Sequence, residues 1–229
     1  MPNFLTLLKS AACLLVAAVL LTAPLHAQQA QFPITGDDGR PIANHALSRE
    51  QALVAERLPG AVVVANPKGD VTLVEFYDLN CPYCRRASAD LDAMIKADRR
   101  LRLVLVPYPV LGIASVLAGR VELAVARTLP PETFYRFHRE IYAGRGVIDG
   151  ARAIATVRTL GLDEDKLLMV ADSDELTEIM KTHARTGGAL GLRATPGYVI
   201  AGVAIVGHPG RKALEQVVAS VRRCGKVVC

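Results

Sequence analysis

The chain has 229 residues, 51% of them apolar, and a formal net charge of +5 at pH 7. That is enough apolar material for one domain with a sizeable core. The basic residues are dispersed, with Arg85-Arg86, Arg99-Arg100 and Arg222-Arg223 as isolated pairs, so they read as solvated surface and no nucleic-acid-binding pattern with interleaved aromatics is present.

Residues 1–27 read as a secretory signal. Lys9 gives a positive start, Ala11 to Ala23 is apolar apart from Thr22, and Leu25-His26-Ala27 offers cleavage after Ala27. The apolar core is too short for a comfortable membrane span, which argues against an uncleaved anchor. Cys13 lies inside that core, a poor place for lipid attachment. Removing the signal takes away Lys9 and no acid, so +5 becomes +4. It also leaves four cysteines, an even number suited to an oxidising compartment. They group as Cys81/Cys84 and Cys224/Cys229.

Residues 28–60 form a polar lead-in. Gly36-Asp37-Asp38-Gly39 is a turn cluster. Ser48 and Gln51 have the spacing of a capping box for a short helix that ends near Pro59-Gly60. Val62-Val63-Val64 suits a short strand, and Asn66-Pro67-Lys68-Gly69 a turn. Val71–Tyr77 is an apolar, β-rich run with one acid, Glu75.

Cys81-Pro82-Tyr83-Cys84 follows that strand and opens a stretch of helical spacing: Cys84, Ala87, Ser88, Leu91, Met94 and Ile95 recur at steps of three and four. A CxxC at a strand–helix joint marks a thioredoxin-like redox site. Two cysteines three apart share one face of a first turn, so their sulfurs can pair. The unpaired N–H groups and positive end of the helix stabilise a thiolate on the first. Pro82 fits the first turn because its missing N–H costs nothing there. Zinc would need two more ligands. The histidines (His26, His45, His138, His183, His208) are scattered and none neighbours Cys224 or Cys229, so no metal set is assigned. A purely structural disulfide at this spacing would constrain the unfolded chain little.

Leu101–Val106 reads as a second buried strand, stopped by Pro107-Tyr108-Pro109. From Gly112 to Gly191 the spacing is helical. Ser115–Arg127 is broken by Gly119, and Glu132–Ala143 is amphipathic. Asp149 caps Gly150–Leu160, and Asp163 caps a helix to Met169. Asp172 with Glu175 caps a helix to about Thr186, loosened by Gly187-Gly188. Strands return at Gly197–Ile200 and Val203–Val206, with Ala201-Gly202 as a tight hairpin between them. Arg211–Arg222 is a last helix. The order is β-α-β, helical block, β-β-α. The segments are 28–60 lead-in, 61–110 and 192–223 thioredoxin-like domain, 111–191 helical insertion and 224–229 C-terminal tail.

Several stretches carry a family resemblance. They are Asn66-Pro67-x-Gly69-Asp70-Val71-Thr72-Leu73-Val74-Glu75-Phe76, Asn80-Cys81-Pro82-Tyr83-Cys84 and Leu111-Gly112-x-x-Ser115-Val116-Leu117-Ala118. Further on come Leu190-Gly191-Leu192 and Ala194-Thr195-Pro196-x-Tyr198-Val199-Ile200. Over roughly residues 66–220 the chain resembles the DsbA-like branch of the thioredoxin superfamily. Its nearest likeness is to periplasmic members related to an outer-membrane protein and to the copper-tolerance protein ScsC. The resemblance implies an α/β thioredoxin fold with an inserted α-helical domain. It also implies a periplasmic thiol-disulfide oxidoreductase with no cofactor beyond its cysteines. Two departures stand out: Tyr83 occupies the place of a histidine in DsbA, and Asn80 that of a tryptophan in many thioredoxins.

The resemblance makes Cys81-Cys84 the redox disulfide and Glu75 a buried acid that relays protons near Cys84. A buried carboxyl has a raised pKa, which suits proton transfer near neutral pH. The plainer alternative is an exposed strand-end carboxylate. Pro196 becomes a cis-proline facing the disulfide, with Thr195 before it tuning the site. Pro82 and Tyr83 complete the substrate-facing set. Cys224-Cys229 is read as a structural disulfide tying down the C-terminus. The partners implied are secreted proteins with cysteines and a membrane redox partner that recycles the site. An oxidase is the favoured activity. Disulfide isomerase or reductase, in an oligomer, and Cu(I) binding through paired thiolates are the alternatives.

Overall fold

Strand β3 (Val71–Tyr77) lies inside a six-stranded sheet of the computed structural model, which describes residues 31–229. The signal segment and Cys13 fall outside the described residues. The other strands are β1 (Asn44–Ala46), β2 (Val62–Ala65), β4 (Leu101–Pro107), β5 (Gly197–Ile200) and β6 (Val203–Val206). Their spatial order is β1-β6-β5-β3-β4-β2. β3 runs parallel to β4 and antiparallel to β5. Parallel neighbours need a crossover, and the CxxC helix α2 (Pro82–Ala97) supplies it.

Helices cover both faces of the sheet, so β3 is buried along nearly its whole length. Its side chains alternate between two cores. Val71, Leu73 and Tyr77 pack with Leu91 and Met94 of α2 and with Leu214 and Val217 of α8 (Arg211–Cys224). Val74 and Phe76 pack on the other face with Ala55 of α1 (Arg49–Glu56) and with Leu190 and Leu192. Glu75 belongs by alternation to the α2 side. Each fully buried aliphatic here contributes about 1.5–3 kcal/mol.

Five helices stand between β4 and β5: α3 (Ile113–Thr128), α4 (Pro131–Ala143), α5 (Gly150–Thr159), α6 (Glu164–Ala171) and α7 (Asp174–Ala189). Four details differ from the sequence reading. α3 runs unbroken through Gly119, where a Cβ would sit 3.3 Å from Pro109, so the glycine serves a close approach. α7 continues past Thr186 to Ala189 because Gly187 lies against the Tyr108 ring, where a Cβ would come within 2.7 Å. Its cap is Ser173, not Asp172, with the hydroxyl accepting from Leu176 N at 3.3 Å. α8 extends to Cys224, which is bonded to Cys229.

The β5–β6 hairpin turns through Ala201 (φ 47°) and Gly202 (φ 75°). Two successive positive φ values give the turn a twist that matches its strands. This hairpin presents the residues just before β5 to the start of α2.

Candidate active site at the start of helix α2

Cys81 occupies the N-cap of α2 and Pro82 its first turn. The backbone closes behind them: Cys81 N donates to Asp78 O at 3.0 Å, and Arg85 N to Cys81 O at 3.1 Å. Both cysteines are free thiols and both are buried, Cys81 to 4% exposure and Cys84 to 1%. Pro82 and Tyr83 between them are exposed, and the Arg86 guanidinium lies 4.8 Å from the centre of the Tyr83 ring.

The two sulfurs are pushed in opposite directions. Cys81 is lowered to about 6. The Cys84 thiol is the main cause, donating to the Cys81 sulfur, and the Thr195 side chain and the backbone N–H groups of Cys84 and Tyr83 add to it against the opposing effect of burial. Burial is the main cause raising Cys84 far above an ordinary thiol, followed by its bond to Cys81 and the charge of Glu75. A thiolate thus forms at the first position and a proton stays at the second.

The loop before β5 closes the site from the far side. As a thiol, Cys81 donates to Thr195 O at 3.0 Å. The Thr195-Pro196 peptide bond is cis. Both residues are buried, and Pro196 O accepts from Gly207 N at 2.9 Å. Tyr83, Arg86, Thr195 and His208 line one side of a groove of about 770 Å³ whose other wall is the Asp37–Ile42 segment. A smaller cavity of about 270 Å³ is lined by Cys81, Pro82, Arg85, Arg145 and Gly146.

Glu75 is buried to 1% exposure, and its Oε1 has no hydrogen-bond partner. Burial raises its carboxyl to about 8, with smaller contributions from the charges of Cys81 and Glu122. It is therefore largely protonated at neutral pH, beside Cys84. Its cross-strand partner is Tyr198. The arrangement brings Cys81, Cys84, Glu75, Thr195 and Pro196 together, with Pro82 and Tyr83 at the rim. Cys224 and Cys229 lie apart, at the end of α8. Among the described residues no group of three or more His, Cys, Asp or Glu could hold a metal ion.

Residues 72–219 match the family model of the DSBA-like thioredoxin domain. The chain belongs to that family.

Among solved structures, a thioredoxin-like oxidoreductase from Silicibacter pomeroyi DSS-3 is 31% identical, with a TM-score of 0.70 over 77% of this chain and 99% of that one. The thiol-disulfide exchange protein alpha-DsbA2 from Wolbachia pipientis is 22% identical, with a TM-score of 0.66 over 76% of this chain and 91% of that one. The catalytic domain of Proteus mirabilis ScsC is also 22% identical, with a TM-score of 0.67 over 76% and 94%. No curated protein matches the chain. The fold is the DsbA-like α/β thioredoxin fold, and the family's chemistry is thiol-disulfide exchange.

This DsbA-like site includes residues to which the sequence reading gave no role. The Asp78 carboxylate accepts from Val110 N (2.8 Å), Leu111 N (2.9 Å), Asn80 N (2.8 Å) and Ser115 Oγ (2.7 Å). Its own N–H points at Cys84 Sγ at 3.5 Å. Asn80 donates to Ser115 Oγ and to Ile148 O, and accepts from Ile148 N. Tyr198 Oη is linked to His208 Nδ1, and His208 Nε2 to Asp90, each at 2.8 Å. The only sequence signal for the first set was the Asp-x-Asn run before the CxxC.

Proposed function

We propose that the chain is an exported periplasmic oxidase that introduces disulfides into secreted proteins through Cys81 and Cys84. The observation that carries this reading is the opposed tuning of the two sulfurs, Cys81 down to about 6 and Cys84 far up. A first cysteine stabilised as thiolate draws the exchange toward the reduced pair, increasingly so as pH rises, and makes the disulfide a better acceptor of electrons.

In the oxidised state a substrate thiolate attacks Cys81 Sγ. The Cys81–Cys84 bond breaks, a mixed disulfide forms, and Cys84 leaves as a thiolate that its buried site disfavours. Glu75, protonated below about 8, gives Cys84 its proton. A second substrate thiolate then attacks the substrate sulfur of the mixed disulfide and releases Cys81 as a stable thiolate. Two electrons have passed to the pair. Thr195 and Pro196 dock the extended substrate beside Cys81, and Pro82 and Tyr83 form the rim it meets. A membrane redox partner removes the two electrons and restores the disulfide. The signal read in residues 1–27 supports a place outside the cytoplasm, where disulfides persist. No helix among the described residues is long and apolar enough to cross a membrane.

The test is covalent trapping. Cys84→Ser should accumulate mixed disulfides with substrate proteins and Cys81→Ser should not. Equal trapping by the two variants would overturn the assignment. A reduction potential well below that of the glutathione pool would turn the direction toward a reductase.

A further inference from the structure

Three buried polar atoms behind the redox pair have no hydrogen-bond partner: Glu75 Oε1, Tyr77 Oη and Glu122 Oε2. Glu75 and Tyr77 are two apart on β3 and project to the same side. Glu122 comes from α3 and is fully buried. Its other oxygen, Oε1, lies 2.9 Å from Nδ1 of His138 on α4. The His138 ring packs edge-on against Tyr77 at 4.7 Å and against Tyr142 at 5.1 Å. The core therefore holds two carboxyls and one imidazole, with the Tyr77 hydroxyl, raised by burial and by the Glu122 charge, among them.

Burying one carboxylate without a counter-charge is costly, and burying two is more so. An imidazole in contact with one of them is the available proton acceptor. His138 and Glu122 are both buried, with 2% and 0% side-chain exposure.

The other titratable groups facing this cluster are Cys84 on α2, Tyr198 on β5, and Tyr135 and Tyr142 on α4. Burial raises all three tyrosines and Cys84. These tyrosines, and Tyr77 with them, stay neutral near neutral pH, and so does Cys84 as a thiol.

We propose that Glu122 and His138 are positioning residues for the exchange reaction: the pair takes up one proton from solvent when Glu75 gives its own to Cys84. The balance is Cys84-S⁻ plus Glu75-COOH giving Cys84-SH plus Glu75-COO⁻, while neutral His138 gains a proton and becomes an imidazolium paired with the Glu122 carboxylate. No electrons move in this step, and the charge of the buried cluster behind the disulfide returns to what it was before Cys84 left. The inference rests on the reading of Glu75 as the donor to Cys84.

The experiment is the pH profile of reduction of the full-length oxidised protein by dithiothreitol, in the parent, Glu75→Gln, Glu122→Gln and His138→Asn. Asn keeps an N–H where Nδ1 stood and removes the proton site. Glu122→Gln removes a negative charge near Glu75, so the alkaline limb should move down by ~0.5–1 pH unit. His138→Asn removes the site that takes up the compensating proton, so the limb should move up by a similar amount. Opposite shifts support the pair, because a merely structural loss would lower the melting temperature without moving the limb in opposite directions. If Glu75→Gln changes the profile while both other variants track the parent or shift the same way, this inference fails alone. If Glu75→Gln itself leaves the profile unchanged, the donor role of Glu75 fails and takes this inference with it. A measurement on the parent protein covers variants that do not fold: the His138 ring signals, titrated by NMR in the oxidised and reduced forms, should have different midpoints. Identical midpoints overturn the proposal.

Discussion

The Cys81 sulfur meets the Thr195 carbonyl oxygen at 3.0 Å, across 114 positions of sequence. That carbonyl serves the thiol, whereas the Thr195 side chain serves the thiolate. The two states of Cys81 thus lean on two groups of one residue. Thr195→Val keeps the first and deletes the second. A hydrogen bond to a charged group is worth ~1.5 kcal/mol at the low end, or about one pKa unit. Thiolate absorbance at 240 nm should therefore show the Cys81 midpoint rising by about that much from its value of about 6. An unchanged midpoint would leave the backbone N–H groups and Cys84 as its whole support.

Glu75 should trade stability for chemistry. Its folded pKa of about 8 stands above the ordinary 4.5, so the unfolded chain ionises first and stability falls as pH rises through that window. At pH 7 the cost is about 3 kcal/mol. Glu75→Gln should then melt higher than the parent at pH 7, with the gap closing toward pH 4.5, and should reduce its disulfide more slowly. Thermal unfolding at several pH values checks the first half. A variant that is less stable at every pH would show that the carboxyl is satisfied by something other than its proton.

The relative stability of the two redox forms should turn with pH. At pH 7 the Cys81 thiolate is one unit past its midpoint, which favours the reduced fold by about 1 kcal/mol after solvent screening. Closing a four-residue loop favours the oxidised fold by roughly 1.9 kcal/mol. The folded pKa is depressed, so the thiolate's contribution is full above the unfolded value of 9.0 and disappears as pH falls through about 6. The melting temperature of the reduced form, relative to the oxidised one, should climb steadily from pH 6 to pH 9. A pH-independent gap would contradict the low pKa of Cys81.

The Cys224–Cys229 bond should matter to the fold and not to the reaction. It closes the end of α8 over Val227, which is buried to 3% exposure. A six-residue loop is worth about 2 kcal/mol, or several degrees of melting temperature in a chain of this size. The double variant Cys224→Ser/Cys229→Ser should lose that and keep the parent's rate of Cys81 alkylation. A slower Cys81 would show that the tail reaches the site.

The sequence displayed what local chemistry controls. Val71–Tyr77, the CxxC, the face of α2 and the Ala201-Gly202 hairpin are all written in runs of a few residues, with apolar period, proline and glycine doing the marking. β1 was missed because Asn44 and His45 carry no apolar pattern. Its place comes from pairing with β6 and from the Asn44 side-chain amide, which donates to Phe32 O and Ile42 O. Ser173 and Asp172 are adjacent cap-type residues, and only the three-dimensional start of α7 chooses between them. Glu122 and His138 stand 16 residues apart on different helices, and no spacing rule joins them. The Asp78 hub was equally hidden, since its partners Val110 and Leu111 offer only backbone N–H groups, which every residue has.

That hub bears on protein engineering. Asp78 and Asn80 bind the loop ends that flank α3 and α5, and they do so from the three residues immediately before Cys81. Anyone transplanting the helical block onto a plain thioredoxin would have to carry Asp78-Leu79-Asn80 with it, or the graft would arrive without its socket. Conversely, a scaffold stripped of residues 111–191 would leave the Asp78 carboxylate with only its Asn80 and Val110 contacts. A neutral replacement such as Asp78→Asn would then be the first repair to make.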